Sequence, residues 1–364
     1  MGGHNILERA TMKLLVVTQV VDVNDPVLGF FHQWLMELSK RVESLTVICL
    51  NEGEHTLPQN VRVYSLGKEK GRRSTISYAT TFIALAWKLR REYDTVFVHM
   101  NPEYLSIAGP LWRLSNKKIG LWYMHKKVSW RLRIGVLFAD YVFTASPRSM
   151  RITTHKKQVV GHGIVPGELL LAPPHPPLSL LTVGRISRIK RAHILIETLR
   201  KLHDMGIDAR LVIVGGAAGK DGALYEKELK SLVENLALGD SVFFEGPRLH
   251  SSLSNYFTNA HIFLHASDTG SLDKASLEPL AAGIPLVTSD VELASVGIRA
   301  IVASEPSANA FASAVQAMVK ERLWDNTEVR EEAHNYVLAH HELSRLIDRV
   351  LAILGSNYDN TAGE

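Results

Sequence analysis

Four stretches in the second half of this sequence follow runs of β-formers and hold residues able to do chemistry. In "TVGRISRIKRAHIL", Gly184 and Arg185 close such a run and Lys190 comes five residues later. Glycine lets a backbone approach a ligand, a guanidinium grips phosphate oxygens through two parallel bonds, and an ammonium adds a compact charge. The same composition also suits a solvated basic loop. "VIVGGAAGKDG" offers Gly215, Gly216 and Gly219 as a nucleotide cradle. It lacks the Gly-Lys-Ser/Thr of a phosphate loop and the spacing of a dinucleotide fingerprint. "FEGPRLHSS" sets Gly246 and Arg248 at the same place after its own run.

The fourth stretch is "DTGSLDKASLEPLAAGIPLV", residues 268–287. Small residues entering a helix present backbone N–H groups and the positive end of the helix dipole, which suits anions and hydroxyls. Glu278, two turns in, could accept two hydrogen bonds from a vicinal diol such as a ribose. The alternative is a solvated helix carboxylate. Asp273 and Lys274 have no assigned work at this level.

The elements that must position these loops alternate along the chain. "KLLVVTQV", "SLTVICL", "VRVYSL", "DTVFVHM", "KIGLWYM", "YVFTAS" and "KQVVGHG" read as strands separated by helical segments. Four prolines fall in residues 173–177, where neither a helix nor a central strand tolerates them. The alternation then restarts with "LSLLTVGRI", "ARLVIVGG", "SVFFEG", "HIFLHAS", "IPLVTS" and "RAIVAS". Residues 343–354 carry an apolar helical stripe. The expected organisation is a domain over 1–172, a linker at 173–177, a second domain over 178–340, a terminal helix at 341–355 and a disordered tail at 356–364. Residues 1–11 read as a leader or an appended stretch. Both domains are α/β with parallel sheets covered on two faces, and in such sheets ligands bind beyond the carboxyl ends of the strands. Two such domains are expected to face a common cleft.

Composition narrows the classes. At 364 residues, 46% hydrophobic and 21% charged, the sequence suits two globular domains and has no apolar run long enough to span a bilayer. Cys49 is the single cysteine, so an internal disulfide and a cysteine metal cluster are excluded. A cytoplasmic setting is the expectation. Residues 1–172 hold 23 Lys+Arg against 13 Asp+Glu, and the remainder 18 against 24, so the net +4 hides a basic half and an acidic half. No nucleic-acid-binding module is recognisable.

Taken in order, "VGR…K", "IVGG", "FEG" and "ASLEPLAAGIPLVTSD" resemble the donor domain of the family-4 (group 1) retaining glycosyltransferases of the GT-B fold. The resemblance covers residues 178–355 well and 12–172 more loosely. It implies two Rossmann-like domains facing a cleft, with the terminal helix crossing back to the first. It further implies that Arg185 and Lys190 bind the donor diphosphate and that Glu278 binds the nucleotide ribose. The main-chain amides of Gly270, Ser271, Leu272 and Asp273 would meet the transferred sugar, and Gly215, Gly246 and Arg248 would line the nucleobase region. In the first half Gly29 would lie near the phosphates and His125 would reach the sugar. His99, Asn101 and His162 are further candidates at strand ends. The sequence departs from the family at Gly270, where a first glutamate is usual, and at Val165, where aspartate is usual.

The implied reaction moves a sugar from a UDP- or GDP-sugar to a glycan, glycolipid or other hydroxyl acceptor, with retained configuration, by front-face attack. No metal and no other cofactor is expected. Residues 113–133 hold seven Lys/Arg and no acid, interleaved with Trp122, Tyr123 and Trp130, and residues 68–74 add four basic residues. Such a surface suits anionic lipid at the inner face of a membrane, at about 1 kcal/mol per basic residue. A nucleotide-sugar 2-epimerase and a non-catalytic nucleotide-sugar binder share the architecture and remain open.

Overall fold

The computed structural model describes residues 10–71, 73–173, 176–268 and 272–356. The chain divides into two compact units, residues 1–163 with 343–364, and residues 164–342.

Unit 1 opens with β1 (Ala10–Val21), α1 (Phe31–Ser39), β2 (Val42–Glu52) and β3 (Val61–Ser65). It continues through α2 (Thr75–Lys88), β4 (Thr95–His99), α3 (Pro102–Leu114), β5 (Lys118–Trp122), α4 (Trp130–Phe138), β6 (Tyr141–Thr144) and β7 (Lys157–Val159). The seven strands form one sheet in the order β3-β2-β1-β4-β5-β6-β7, all parallel. Alternate residues of the central strand β1 enter opposite cores. Leu14 and Val16 pack with α1, while Leu15 and Val17 pack with α2, α3 and α4. A strand buried on both faces reads as a continuous apolar run, which is why "LLVV" carries no polar alternation. The helix Leu343–Gly355 turns its stripe of Leu343, Leu346, Ile347, Val350 and Leu354 into the α1 side of this core.

Unit 2 contains β8 (Leu178–Val183), α5 (Ala192–Asp204), β9 (Ala209–Val214), α6 (Gly219–Asn235), β10 (Val242–Gly246), α7 (Leu253–Thr258) and β11 (Ile262–His265). It closes with α8 (Lys274–Ala281), β12 (Leu286–Thr288), α9 (Val291–Ala294), β13 (Ile301–Ala303), α10 (Ala308–Lys320) and α11 (Thr327–His340). Its six parallel strands run β10-β9-β8-β11-β12-β13. Helix starts are set by side-chain caps, Asp273 for α8, Ser307 for α10 and Asn326 for α11.

Residues 164–172 belong to unit 2, ahead of the proline-rich stretch read as the linker. Leu170 N–H donates to Ala282 O at 3.1 Å, and the buried Arg330 Nε donates to Leu170 O at 2.9 Å. Ile164 N–H donates to His341 O at 2.7 Å, so the start and the end of the unit lie side by side.

The basic-aromatic stretch 113–133 is not one surface. Its middle is β5, a strand buried on both faces, and Trp122 at its end (2% exposed) and Tyr123 just after it lie in the core. Arg113 pairs with Asp140, and Lys117 Nζ donates to Tyr93 O. Of the three aromatics Trp130, on α4, is exposed at 65%.

Candidate functional site

In both sheets the strand order reverses beside the first strand of the unit, at β1/β4 and at β8/β11. Loops leaving the carboxyl ends of two such strands diverge to opposite faces and leave a crevice, the usual ligand position in open parallel sheets. The four loops singled out from the sequence all leave strands of the second sheet at that end.

Backbone hydrogen bonds stitch three of them together. Gly184 N–H donates to Val214 O at 2.9 Å, Ile186 N–H to Gly216 O at 2.8 Å, and Gly215 N–H to Gly246 O at 2.9 Å. Gly215 has a φ of +143°, and a Cβ there would meet Gly184 O at 1.9 Å, so the close approach of the two loops requires glycine. Gly246 has a φ of +69° with open space around it, so its requirement is conformational.

Arg185 is exposed and makes no hydrogen bond or ion pair among the described residues. Lys190, at the end of the three-residue turn Arg188–Lys190, folds its stem back over Gly184. Its ammonium meets the carboxylate of Asp273, with the two side chains 20% and 16% exposed. Asp268 N–H donates to Ile189 O at 2.9 Å, and Arg191 pairs with Asp268 at 2.6 Å. Three contacts therefore join the loop after β8 to the loop after β11.

Asp273 is the most constrained acid here. Its Oδ1 caps α8 by accepting from Ala275 N–H at 3.3 Å, and its Oδ2 faces both Lys190 and His265 Nε2, the latter at 3.4 Å. Burial pushes this carboxyl up, but His265 and Lys190 outweigh it and hold it well below the usual carboxylate range. His265 is held from behind by Thr288 Oγ1 at 3.1 Å.

Glu278 is not alone. Its Oε1 faces His250 Nε2 at 2.7 Å and Lys274 Nζ at 3.4 Å, and the side chain is 12% exposed. Burial raises its pKa, and the contacts with His250 and the Lys274 ammonium more than offset that, so it is ionised at neutral pH. Arg248 pairs with Glu245 at 2.9 Å, and Tyr256 O–H donates to the same carboxylate oxygen. Leu272 is buried in the core with Leu277 and Leu280, which anchors the end of the loop before α8. Gly270 and Ser271 lie outside the described residues.

The unit 1 candidates divide. Gly29 lies in the loop after β1, where a Cβ would meet Asp25 O and Val23 O at 2.7 Å. His125 is exposed, and Lys127 N–H donates to its Nδ1 at 2.9 Å, so a neutral ring carries its proton on Nε2. Asn101 is half-buried and donates to His99 O, and His162 is half-buried between two positive-φ glycines, Gly161 and Gly163. His99 is corrected: at 2% exposure it is a core residue, stacked on Phe31 at 4.0 Å and set against Thr18 Oγ1 at 3.3 Å. Burial lowers its pKa to about 3, so the ring is neutral.

Sequence reasoning passed over His250, His265 and Glu245. His265 was legible, because period 2 along β11 puts it on the Phe263 face, where α8 packs. The pairing of His250 with Glu278 spans 28 residues and carries no local signal.

Residues 171–337 match the family model described as "Glycosyl transferases group 1". A D-inositol 3-phosphate glycosyltransferase of Catenulispora acidiphila is 28% identical over 202 residues, covering 52% of this chain and 47% of the relative. The chain spans less than half the length of the first curated relatives it matches. Among solved structures, Anabaena HepE in complex with UDP and glucose aligns with a TM-score of 0.70 at 16% identity, covering 95% of this chain and 100% of that one. Sucrose-phosphate synthase from Thermosynechococcus elongatus aligns at 0.71 and 17%, covering 93% and 98%. These likenesses show the fold, two Rossmann-like parallel-sheet domains of the GT-B kind.

Proposed function

We propose that the protein is a group 1 glycosyltransferase, the family whose model residues 171–337 match, and that it transfers a sugar from a nucleotide diphosphate sugar to a hydroxyl acceptor with retained configuration. The observation that carries this reading is the exposed Arg185, without a side-chain partner among the described residues, following Gly184 with the Lys190 stem laid over that glycine, at the glycine-stitched ends of β8, β9 and β10. Arg185 and Lys190 take the diphosphate, the ionised Glu278 takes the ribose diol, and the amides of residues 271–273 meet the sugar. The bond from the anomeric carbon to the diphosphate oxygen breaks while the acceptor oxygen bonds to that carbon on the same face. The acceptor proton passes to the departing phosphate. Negative charge grows on the diphosphate, so prearranged cations there lower the barrier without a metal ion.

A panel of UDP- and GDP-sugars, each with and without hydroxyl acceptors and with and without a chelator, tests this. Free nucleotide diphosphate and a new α- or β-glycoside are measured. Acceptor-dependent, chelator-resistant release with the donor's anomeric configuration supports the reading. Inverted product, metal dependence, or a new nucleotide sugar without acceptor sinks it, the last in favour of epimerisation.

The acceptor in this proposal is carried on an anionic membrane surface. Exposed Ile76, Ile83 and Trp87 on α2, and Trp130 and Leu137 on α4, belong to helices covering one face of the unit 1 sheet. Arg90 lies over Trp87 and Arg131 over Trp130, pairing cations with interfacial aromatics. No described helix is long and apolar enough to cross a membrane. Co-sedimentation with phosphatidylcholine vesicles, with and without phosphatidylserine, checks it; equal recovery in both ends the idea.

A further inference from the structure

Asp273 and Lys274 are adjacent and oppositely charged, and each meets one of the groups assigned to the donor. Asp273 meets the Lys190 ammonium, and Lys274 reaches Glu278 one turn along α8. Neither contact follows from the sugar-loop role read from the sequence, which used only backbone amides.

The Asp273 side chain is fixed at every point. Oδ1 holds the Ala275 N–H, and Oδ2 holds Lys190 and His265. Behind it a buried chain continues from His265 Nδ1 to Thr288 Oγ1 at 3.1 Å, and Thr288 Oγ1 accepts the Asp290 N–H at 3.0 Å. Thr288 and His265 are 0% and 4% exposed, so this chain is set by the core and not by solvent. A buried ion pair returns little net stability, because desolvation offsets attraction. What such a pair supplies is geometry. Lysine has a flexible four-carbon stem, and immobilising it when ligand arrives costs rotamer entropy. Here one of its three N–H donors is spent on Asp273, and the stem is laid along Gly184 before any ligand arrives. The other two N–H donors remain for phosphate oxygens.

We infer that Asp273 is a positioning residue for donor cleavage, holding the Lys190 ammonium at the diphosphate through the His265–Thr288 chain. This rests on the proposed donor reading. Asp273 also sets a negative charge near the phosphates, which opposes ground-state binding of the nucleotide. Its removal therefore divides the kinetics: affinity for nucleotide is nearly kept, and turnover is lost.

The test is a double-mutant cycle on the full chain with wild type, D273N, K190M and D273N/K190M, and with D273E for rescue. Asparagine is chosen because it remains a strong helix cap while losing the charge. Affinity for UDP and GDP and kcat for the best donor are measured, with thermal melting as the control. The expected result is a kcat about 30-fold lower in D273N with nucleotide affinity within about threefold, partial recovery in D273E, and no added loss from D273N once Lys190 is methionine. Wild-type kcat in D273N, or an equal loss in the K190M background, overturns the inference while leaving the donor reading intact. D273S, which also caps, replaces D273N if the latter melts early, under the same criteria. A wild type that binds neither nucleotide and cleaves no donor overturns the donor reading itself, and the inference with it.

Discussion

The two strand-order reversals have one topology and opposite chemistry. At β1/β4 the strand-end histidine, His99, lies under Phe31 as a neutral core ring, and the loop after β1 is packed closely enough at Gly29 to exclude a Cβ. At β8/β11 the strand-end histidine, His265, faces an ionised carboxylate, and the Lys190 ammonium meets the same carboxylate. Both crevices arise from the same order of parallel strands, so the architecture supplies the location and the loop residues decide the use. A histidine at the carboxyl end of a strand is thus no guide to chemistry until its face is known. One side of β4 leads into an aromatic core, and one side of β11 leads to the cap of α8.

The comparison breaks most readily at the cations. Arg185→Ala and Lys190→Ala should each lower turnover about 100-fold or more, as removing one prearranged charge donor does elsewhere. Steady-state kinetics check this, and near-wild-type rates would erase the contrast between the two crevices. Next, Glu278→Ala should weaken nucleotide binding about 10- to 100-fold, the value of hydrogen bonds to a charged group. Asp268→Ala, which removes a pair whose acid is 63% exposed, should change it by less than about threefold. Calorimetric titration separates the two, and equal effects would deny Glu278 a ligand role.

The smallest effect belongs to His99 and concerns stability alone. Its folded pKa is depressed to about 3, against an ordinary value of 6.5. Between those values the unfolded chain takes up the proton and the folded chain does not. Stability is therefore fully present above about pH 6.5 and falls as pH drops below it, by at most about 1.4 kcal/mol per unit. Denaturant unfolding at pH 7 and pH 5, wild type against His99→Phe, reads the difference. Five of the six tryptophans lie in unit 1, so their fluorescence follows the relevant half. An identical pH response in the two proteins would show that His99 is not kept neutral by burial.

Much of this was legible before any coordinates. Every strand read from a β-branched run forms, because short apolar runs bounded by turn residues suit strands buried on both faces. The same property caused the main misreading. "IGLW" lies between lysines, and the charges drew the whole stretch to the surface, although β5 threads its aromatics into the core. Gly215 was visible as a glycine of a nucleotide cradle, but its close approach to the Gly184 carbonyl was not. The ion pairs of the site were invisible for a simpler reason. Lys190 and Asp273 are 83 residues apart and meet only because β8 and β11 are adjacent in the sheet.

The order in which the chain is made adds something the finished structure conceals. Leu343, Leu346, Ile347, Val350 and Leu354 complete the α1 face of the first core, yet they are synthesised after the whole of residues 164–342. Unit 2 has all of its own residues by Glu342, and Ile164 N–H donates to His341 O across its two ends. Unit 1 cannot finish its core until the chain beyond unit 2 has emerged, and until then Phe31, Trp34 and Leu38 on α1 form an uncovered greasy flank. A chain shortened at residue 342 would keep that flank open to chaperones, and residues 343–354 are what hide it.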